Sequence, residues 1–253
     1  LQSGHRFCTR QIVFDTGRPP FDDPEIRQAF SAAVDRQRLA ADVLQNAAVP
    51  ASGVLPPGLP GHVERAAGDD FDLNKATTLL AGGAPVGEAG AGHLTLVAAG
   101  VGSPEPLITA LVDEWRENLG VDIEIELLDP PDFPDLVRQR EANMYFLDRC
   151  AGYPDPESML DGQYHSDGAD NIGRYSNADV DHILEQARSE IDVDQRLHLY
   201  QQAEELILAD APSVQLVHPS NNILVRPFIH SFQPSPIGVT WPAYVSIDRE
   251  GSQ

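Results

Sequence analysis

One segment restricts the possible folds more than any other. Residues 93–98 read as a strand and residues 104–119 as an amphipathic helix. Gly120 stands just past that helix, where a left-handed residue closes it. Val121-Asp122-Ile123-Glu124-Ile125-Glu126-Leu127 then alternates strictly between apolar and acidic side chains, the pattern of a half-buried strand. Strand, helix and strand in this order make a βαβ unit with a right-handed crossover. The chain is therefore expected to be an α/β protein.

A second stretch follows from the first. Residues 142–147 are an apolar segment that ends as a strand would, and Asp148-Arg149-Cys150-Ala151-Gly152-Tyr153-Pro154-Asp155-Pro156 opens from it as a Pro-bounded turn before a helix. Strand ends that open into turns are where α/β proteins place ligand contacts. This stretch is expected to form one wall of a ligand cleft, with Arg149, Cys150, Ala151, Gly152 and Tyr153 as candidate contacts.

The remaining elements are shorter. Residues 11–14 read as a strand. Asp23 caps a helix that Pro24 begins, and Asp35 caps another over residues 36–45. The Pro- and Gly-rich residues 50–60 are too apolar for a solvated linker and are expected to lie on the body of the domain. A helix over 72–80, a flexible loop or hairpin over 82–92, a helix over 132–141 and a strand over 144–148 come next. A helix over 156–160 leads into a polar loop at 163–171. Asn177 caps a helix over 178–189 and Asp194 one over 194–209. Strands 214–217 and 223–225 flank a turn at Pro219-Ser220-Asn221-Asn222, and one terminal strand is expected at 243–247.

Charge narrows the function. With 39 acidic against 17 basic residues the formal net charge is -22, a field that repels nucleic-acid backbones and anionic membranes. Lys75 is the one lysine, which fits either a GC-rich coding bias or adaptation to salt. No apolar run reaches the roughly 18–20 residues of a spanning helix, so direct membrane insertion is not expected. The first residue is Leu1, and the chain is expected to be a piece of something longer.

Chemistry-bearing motifs are few. Gly100-Val101-Gly102-Ser103 lacks the third glycine and the lysine of a phosphate loop. His165, Asp167 and Asp170 fit no known metal-loop spacing and read as a solvated loop. Glu204 and Glu205 read as an exposed helix face, Trp115 as core, and Trp241, in a loop flanked by proline, as a cleft or interdomain contact. No nucleophile elbow or Ser/His/Asp arrangement is present, so no catalytic residue, metal or cofactor is assigned. Cys8 and Cys150 are either two free thiols of an intracellular protein or one long-range disulfide of an exported one.

Four segments, in order, resemble the C-terminal half of the family 5 extracellular solute-binding proteins, the oligopeptide-, dipeptide- and nickel-binding receptors of ABC importers. They are Pro19-Pro20-Phe21-Asp22-Asp23-Pro24-Glu25-Ile26-Arg27-Gln28-Ala29-Phe30 with Ala33-Val34-Asp35-Arg36; Phe71-Asp72-Leu73-Asn74-Lys75-Ala76 with Leu79-Leu80; Gly152-Tyr153-Pro154-Asp155-Pro156-Glu157-Ser158; and Arg174-Tyr175-Ser176-Asn177 through Asp181, then Arg196, Leu199-Tyr200, Ala203-Glu204 and Asp210-Ala211-Pro212. The resemblance implies lobe II of a two-lobed, type II periplasmic-binding-protein-like fold, a mixed sheet flanked by helices. Residues 1–226 would be that lobe, with hinge entry at 1–15, and residues 227–253 would return toward a lobe I that lies outside this chain.

The same resemblance implies a Cys8–Cys150 disulfide and an extracytoplasmic location, in the periplasm or at the cell surface, with a lipoprotein anchor in the full-length protein. It also exposes a departure. Peptide-binding members carry an aspartate, which pairs with the peptide's amino terminus, where this chain has Gly152, and an aromatic residue where it has Arg149. Arg149 is expected either to meet a carboxylate or phosphate of the ligand or to pair with Asp148 or Asp155 at the surface. The expected function is solute binding for an ABC importer, with a peptide or small-molecule ligand, the importer's membrane subunits as partners and no enzymatic step. The alternative is the ligand-sensing domain of a transcriptional regulator.

Overall fold

A computed structural model describes residues 2–65, 71–83, 86, 93–131, 133, 137, 142–238 and 245–248. Its centre is a seven-stranded sheet in the order β1-β7-β2-β6-β4-β5, with β3 paired to β7 off that path. The strands are β1 (Gln2–His5), β2 (Cys8–Phe14), β3 (Ala48–Pro50), β4 (Leu94–Ala99), β5 (Ile123–Leu128), β6 (Met144–Cys150) and β7 (Ser213–Ile223). β4 runs parallel to β5 and to β6, while the pairs made by β2 and β7 are antiparallel, so the sheet is mixed.

The βαβ unit holds. α4 (Pro106–Leu119) joins β4 to β5, and Gly120 closes it in the left-handed region at φ 67°. Its apolar stripe packs on the sheet with α1 (Pro24–Ala32) and α3 (Leu73–Gly82). The centre of this core is aromatic. Phe14 stacks on Phe21 with ring centroids 4.3 Å apart, and Phe30 meets Trp115 at 5.1 Å. Trp115 is fully buried, and its indole Nε1 donates to the Phe30 carbonyl at 2.9 Å, so its one polar group is satisfied.

A second core lies among α5 (Glu157–Tyr164), α6 (Ala178–Ser189) and α7 (Val193–Asp210). Asn177 accepts from the amides of Asp179 and Val180 and starts α6 where its side chain predicts. Val54, Leu55 and Leu59 from the Pro-rich segment are buried in this core, which is why that segment is apolar.

Several expectations are corrected. The turn at Pro219–Asn222 does not exist. β7 is one strand of 11 residues, held extended through Pro219 by β1 on one side and by β3 and the Ala47 carbonyl on the other. α5 extends beyond 160 to Tyr164, because Gln163 and Tyr164 are buried and bonded to Gln11 and Ser213. Asp192, not Asp194, caps α7, accepting from the Gln195 amide. The helix expected over 36–45 is a short α2 (Arg36–Arg38) that widens into a π-helical turn over Leu39–Val43. β6 runs on to Cys150, since β2 pairs with it along its whole length. β8 (Ile229–His230) pairs with β9 (Ser246–Ile247) in a separate ribbon; of the terminal strand expected over 243–247, residues 243 and 244 lie outside the described residues. The loop over 82–92 lies mostly outside the described residues; of the helix expected over 132–141 only Phe133 and Val137 are described, both helical.

Candidate functional site

β4, β5 and β6 run in one direction, so their C-terminal ends share one edge of the sheet, the edge at which open α/β sheets hold ligands. Cys150 ends β6 there, and antiparallel β2 brings Cys8 to the same place as its register partner. The two form a disulfide. The pairing joins the expected wall to the start of the chain, and the Ala151 amide donates to the Phe7 carbonyl at 2.7 Å.

Beyond Ala151 the chain leaves the core. Ala151 is buried, whereas Gly152 is exposed and Tyr153 is 47 % exposed. The turn is nevertheless held. The Tyr153 carbonyl accepts from the Asp155 amide at 2.8 Å and from Ser158 Oγ at 3.1 Å. Asp155 takes both Arg196 nitrogens, at 3.0 and 2.5 Å, a two-point bond that fixes the turn to α7. A side chain at position 152 would meet no atom within 4 Å of its Cβ, so Gly152 is an open position on a fixed rim.

Arg149 points to the other side of the strand end. Its Nη1 donates to Asp170 Oδ2 at 2.6 Å and its Nη2 to the Ser158 carbonyl at 3.0 Å. The expected partners Asp148 and Asp155 are taken elsewhere: Asp148 Oδ2 lies 3.7 Å from Arg10 Nε, and Asp155 belongs to Arg196. Alternation along β6 is the reason, because Asp148 and Arg149 project from opposite faces. Burial holds the Asp148 carboxyl above its ordinary range, against the pull of Arg10 and Arg6.

Beside Arg149 is a groove of about 210 Å³ lined by Phe133, Val137, Leu147, Asp148, Ile172 and the Arg149–Asp170 pair. The structure thus brings Arg149, Cys150, Ala151, Gly152 and Tyr153 together at one edge, while Trp241 lies outside the described residues. The sequence marks neither Asp170 nor the apolar lining of the groove as site residues; the spacing of the polar loop bears only on metal binding. That loop does not converge on a metal. The Asp167 amide donates to His165 Nδ1 at 3.1 Å, and Asp170 turns to Arg149. Among the described residues the one group of metal-ligand type is Cys8, Asp148 and Cys150, and its sulfurs are bonded to each other.

A larger cavity, about 470 Å³, is bordered by Arg36, Arg65, Lys75, Glu205 and Gln215. It lies at the Ser213 end of β7, level with Val13 and so at the opposite end of the strands from Cys150. The candidate site is placed at the Cys150 edge, where the parallel strands end and the exposed rim stands.

The chain is similar to known proteins in sequence and in fold. Residues 2–171 match the family model described as bacterial extracellular solute-binding proteins, family 5 middle. The chain is 26 % identical over 239 residues to the probable di/tripeptide-binding protein 5 of Pseudomonas aeruginosa, covering 92 % of this chain and 44 % of that protein. It is 30 % identical over 235 residues to the probable deoxycholate-binding periplasmic protein YgiS of Escherichia coli, covering 90 % of this chain and 43 % of that protein. The unliganded open form of MppA, a periplasmic murein tripeptide binding protein, superposes with a TM-score of 0.82 at 24 % identity, covering 97 % of this chain and 48 % of that one. The chain therefore spans about half the length of the relatives it matches.

Proposed function

Because the chain belongs to the bacterial extracellular solute-binding proteins of family 5, we propose that it supplies one lobe of an extracytoplasmic receptor that hands a small solute to an ABC importer. The observation that carries this reading is the fixed, exposed rim at Gly152–Tyr153, set where parallel strands end and beside a groove. In this reading residues 1–226 form lobe II, the first 15 residues cross the hinge, and residues 227–253 return toward lobe I. Affinity comes from enclosure between the lobes and a few polar anchors, with no chemical step on the ligand. Among the described residues no helix is long and apolar enough to cross a membrane.

The ligand is peptide-like or another small polar or amphipathic solute. Relatives named for di/tripeptides and for deoxycholate mark the range. Gly152 weighs against a free peptide amino terminus, because the wall has no acid there to meet an ammonium. No observation favours the regulator alternative.

Mass spectrometry of small molecules released from the native full-length protein identifies the solute. Calorimetry then compares the affinity of the 253-residue chain with that of the full-length protein. Weak or undetectable binding by the chain alone is expected; equal affinity would sink the idea that it holds one wall of a two-walled cleft.

A further inference from the structure

Resting on the cleft reading above, we infer that Arg149 is the anion receptor of this wall, and that the solute is an amphipathic carboxylate whose apolar body lies in the adjoining groove. Three observations carry this. The groove is lined by Phe133, Val137, Leu147 and Ile172 together with Asp148, whose carboxylate is paired with Arg10 at 3.7 Å, and its about 210 Å³ exceeds the roughly 150 Å³ that suffices for a benzene ring. At one end stands a guanidinium bonded below its capacity: Nη1 and Nη2 have acceptors, but Nε is buried with none. A ligand carboxylate takes the place of Asp170 at Nη1 while Nη2 keeps the Ser158 carbonyl, a charge-assisted bond of the kind arginine is suited to.

The third observation sets the sign of the ligand charge. The Arg149 side chain is 22 % exposed and that of Asp170 is 45 % exposed. A ligand carboxylate that displaces Asp170 exchanges one anion for another on a cation that stays paired, and the exposed Asp170 regains water. A ligand ammonium would instead have to draw Asp170 away and leave a mostly buried guanidinium without a counter-charge, the more expensive outcome. The pair is seated for such an exchange. Gly162 of α5 leaves the space it occupies, since a Cβ there would lie 3.0 Å from Arg149 Nη2 and 3.2 Å from Asp170 Oδ2. Arg149 is held from behind by the Ser158 carbonyl, so the cation stays in place when its carboxylate partner changes.

The test is a nuclear magnetic resonance titration of the full-length protein with three probes of one shape: 3-phenylpropanoate, 3-phenylpropanamide and 3-phenylpropylamine. The acid is expected to shift the signals of residues 147–149 and 170–172 and to bind at least about tenfold more tightly than the amide or the amine. Arg149→Gln removes that preference. Asp170→Asn strengthens binding of the acid several-fold, a gain that misfolding cannot produce. Binding of the amine or amide at this groove as tightly as the acid, or weaker acid binding by Asp170→Asn, overturns the inference and leaves the cleft reading standing. Shifts confined to residues away from this strand edge also overturn the inference. Failure of all three probes to bind overturns the inference alone, because the cleft reading is tested by its own calorimetry.

Discussion

Cys8 and Cys150 are register partners on adjacent antiparallel strands and are joined by a disulfide across 142 residues of sequence. The bond closes a loop that holds β2 to β6, while β1, β7 and α5 to α7 lie outside it. In the chain-entropy account a loop of this length restricts the unfolded state strongly, and removing such a bond from a domain costs about 2–5 kcal/mol. Urea denaturation with and without a reductant, and of Cys8→Ser/Cys150→Ser, is expected to show that loss. Unchanged midpoints would mean that strand pairing alone does the work.

Gly152→Asp is expected to leave stability within about 0.5 kcal/mol, because position 152 is exposed and its Cβ would meet nothing within 4 Å. The new carboxylate stands on the rim where a ligand ammonium would arrive. Affinity of the full-length protein for a free dipeptide should rise by about three- to tenfold, with no gain for the N-acetylated dipeptide. Calorimetry on both peptides decides it; an equal gain for the two would show that charge pairing at this position is not involved.

His218 is fully buried between the Cys8 carbonyl and Thr9. Thr9 Oγ1 donates to the Val54 carbonyl at 2.8 Å, so His218 Nδ1 carries the proton and donates to Thr9 Oγ1, leaving Nε2 bare and without a partner. Burial first, then nearby His62 and His5, hold its pKa down to about 3, against the hydrogen bond to Cys8. The unfolded chain binds a proton below about 6.5 that the folded chain refuses. This part of the stability is therefore complete above that pH and falls by about 1.4 kcal/mol per unit as pH drops toward 3. Melts at pH 7, 6 and 5 should show the slope, and His218→Gln should flatten it whatever it does to the absolute stability. Parallel slopes in the two proteins would contradict the assignment.

Glu204 is buried on α7, with Oε1 accepting from the Leu55 amide at 2.9 Å and Oε2 3.1 Å from Arg65 Nη1. It fastens the Pro-rich segment to the helix. Glu204→Ala strands both partners and should cost about 3 kcal/mol. Gly53→Ala should also destabilise, since its Cβ would fall 2.7 Å from Glu204 Oε1. Thermal melts measure both losses, and Glu204→Ala/Arg65→Ala should fall short of the summed single losses. Full additivity would show that the pair is not coupled.

Local rules were enough for much of this architecture. Gly120 and Asn177 sit where the ends of α4 and α6 require them, and the alternation before Leu127 marks a true strand. What failed was non-local. Pro219 and the two asparagines after it have turn preferences, but β1 and β3 pair with them from more than 150 residues away and hold them extended. Glu204 and Glu205 look alike in sequence; only the segment that folds over α7 buries one of them and leaves the other exposed. The wall at Arg149–Tyr153 was legible as a strand end, whereas the partner of Arg149 was not. The acids closest in sequence lose to Asp170 because strand alternation turns Asp148 to the opposite face and Arg196 occupies Asp155.

The pairing of β1 with β7 has a practical meaning. Gln2 and Ile223 are register partners, so the chain enters and leaves this sheet about 5 Å apart, side by side. A unit with entrance and exit so close can be spliced into a permissive surface loop of another protein without stretching its host. The segment from Gln2 to Ile223 is in that sense a portable cassette, and its rim and groove travel with it.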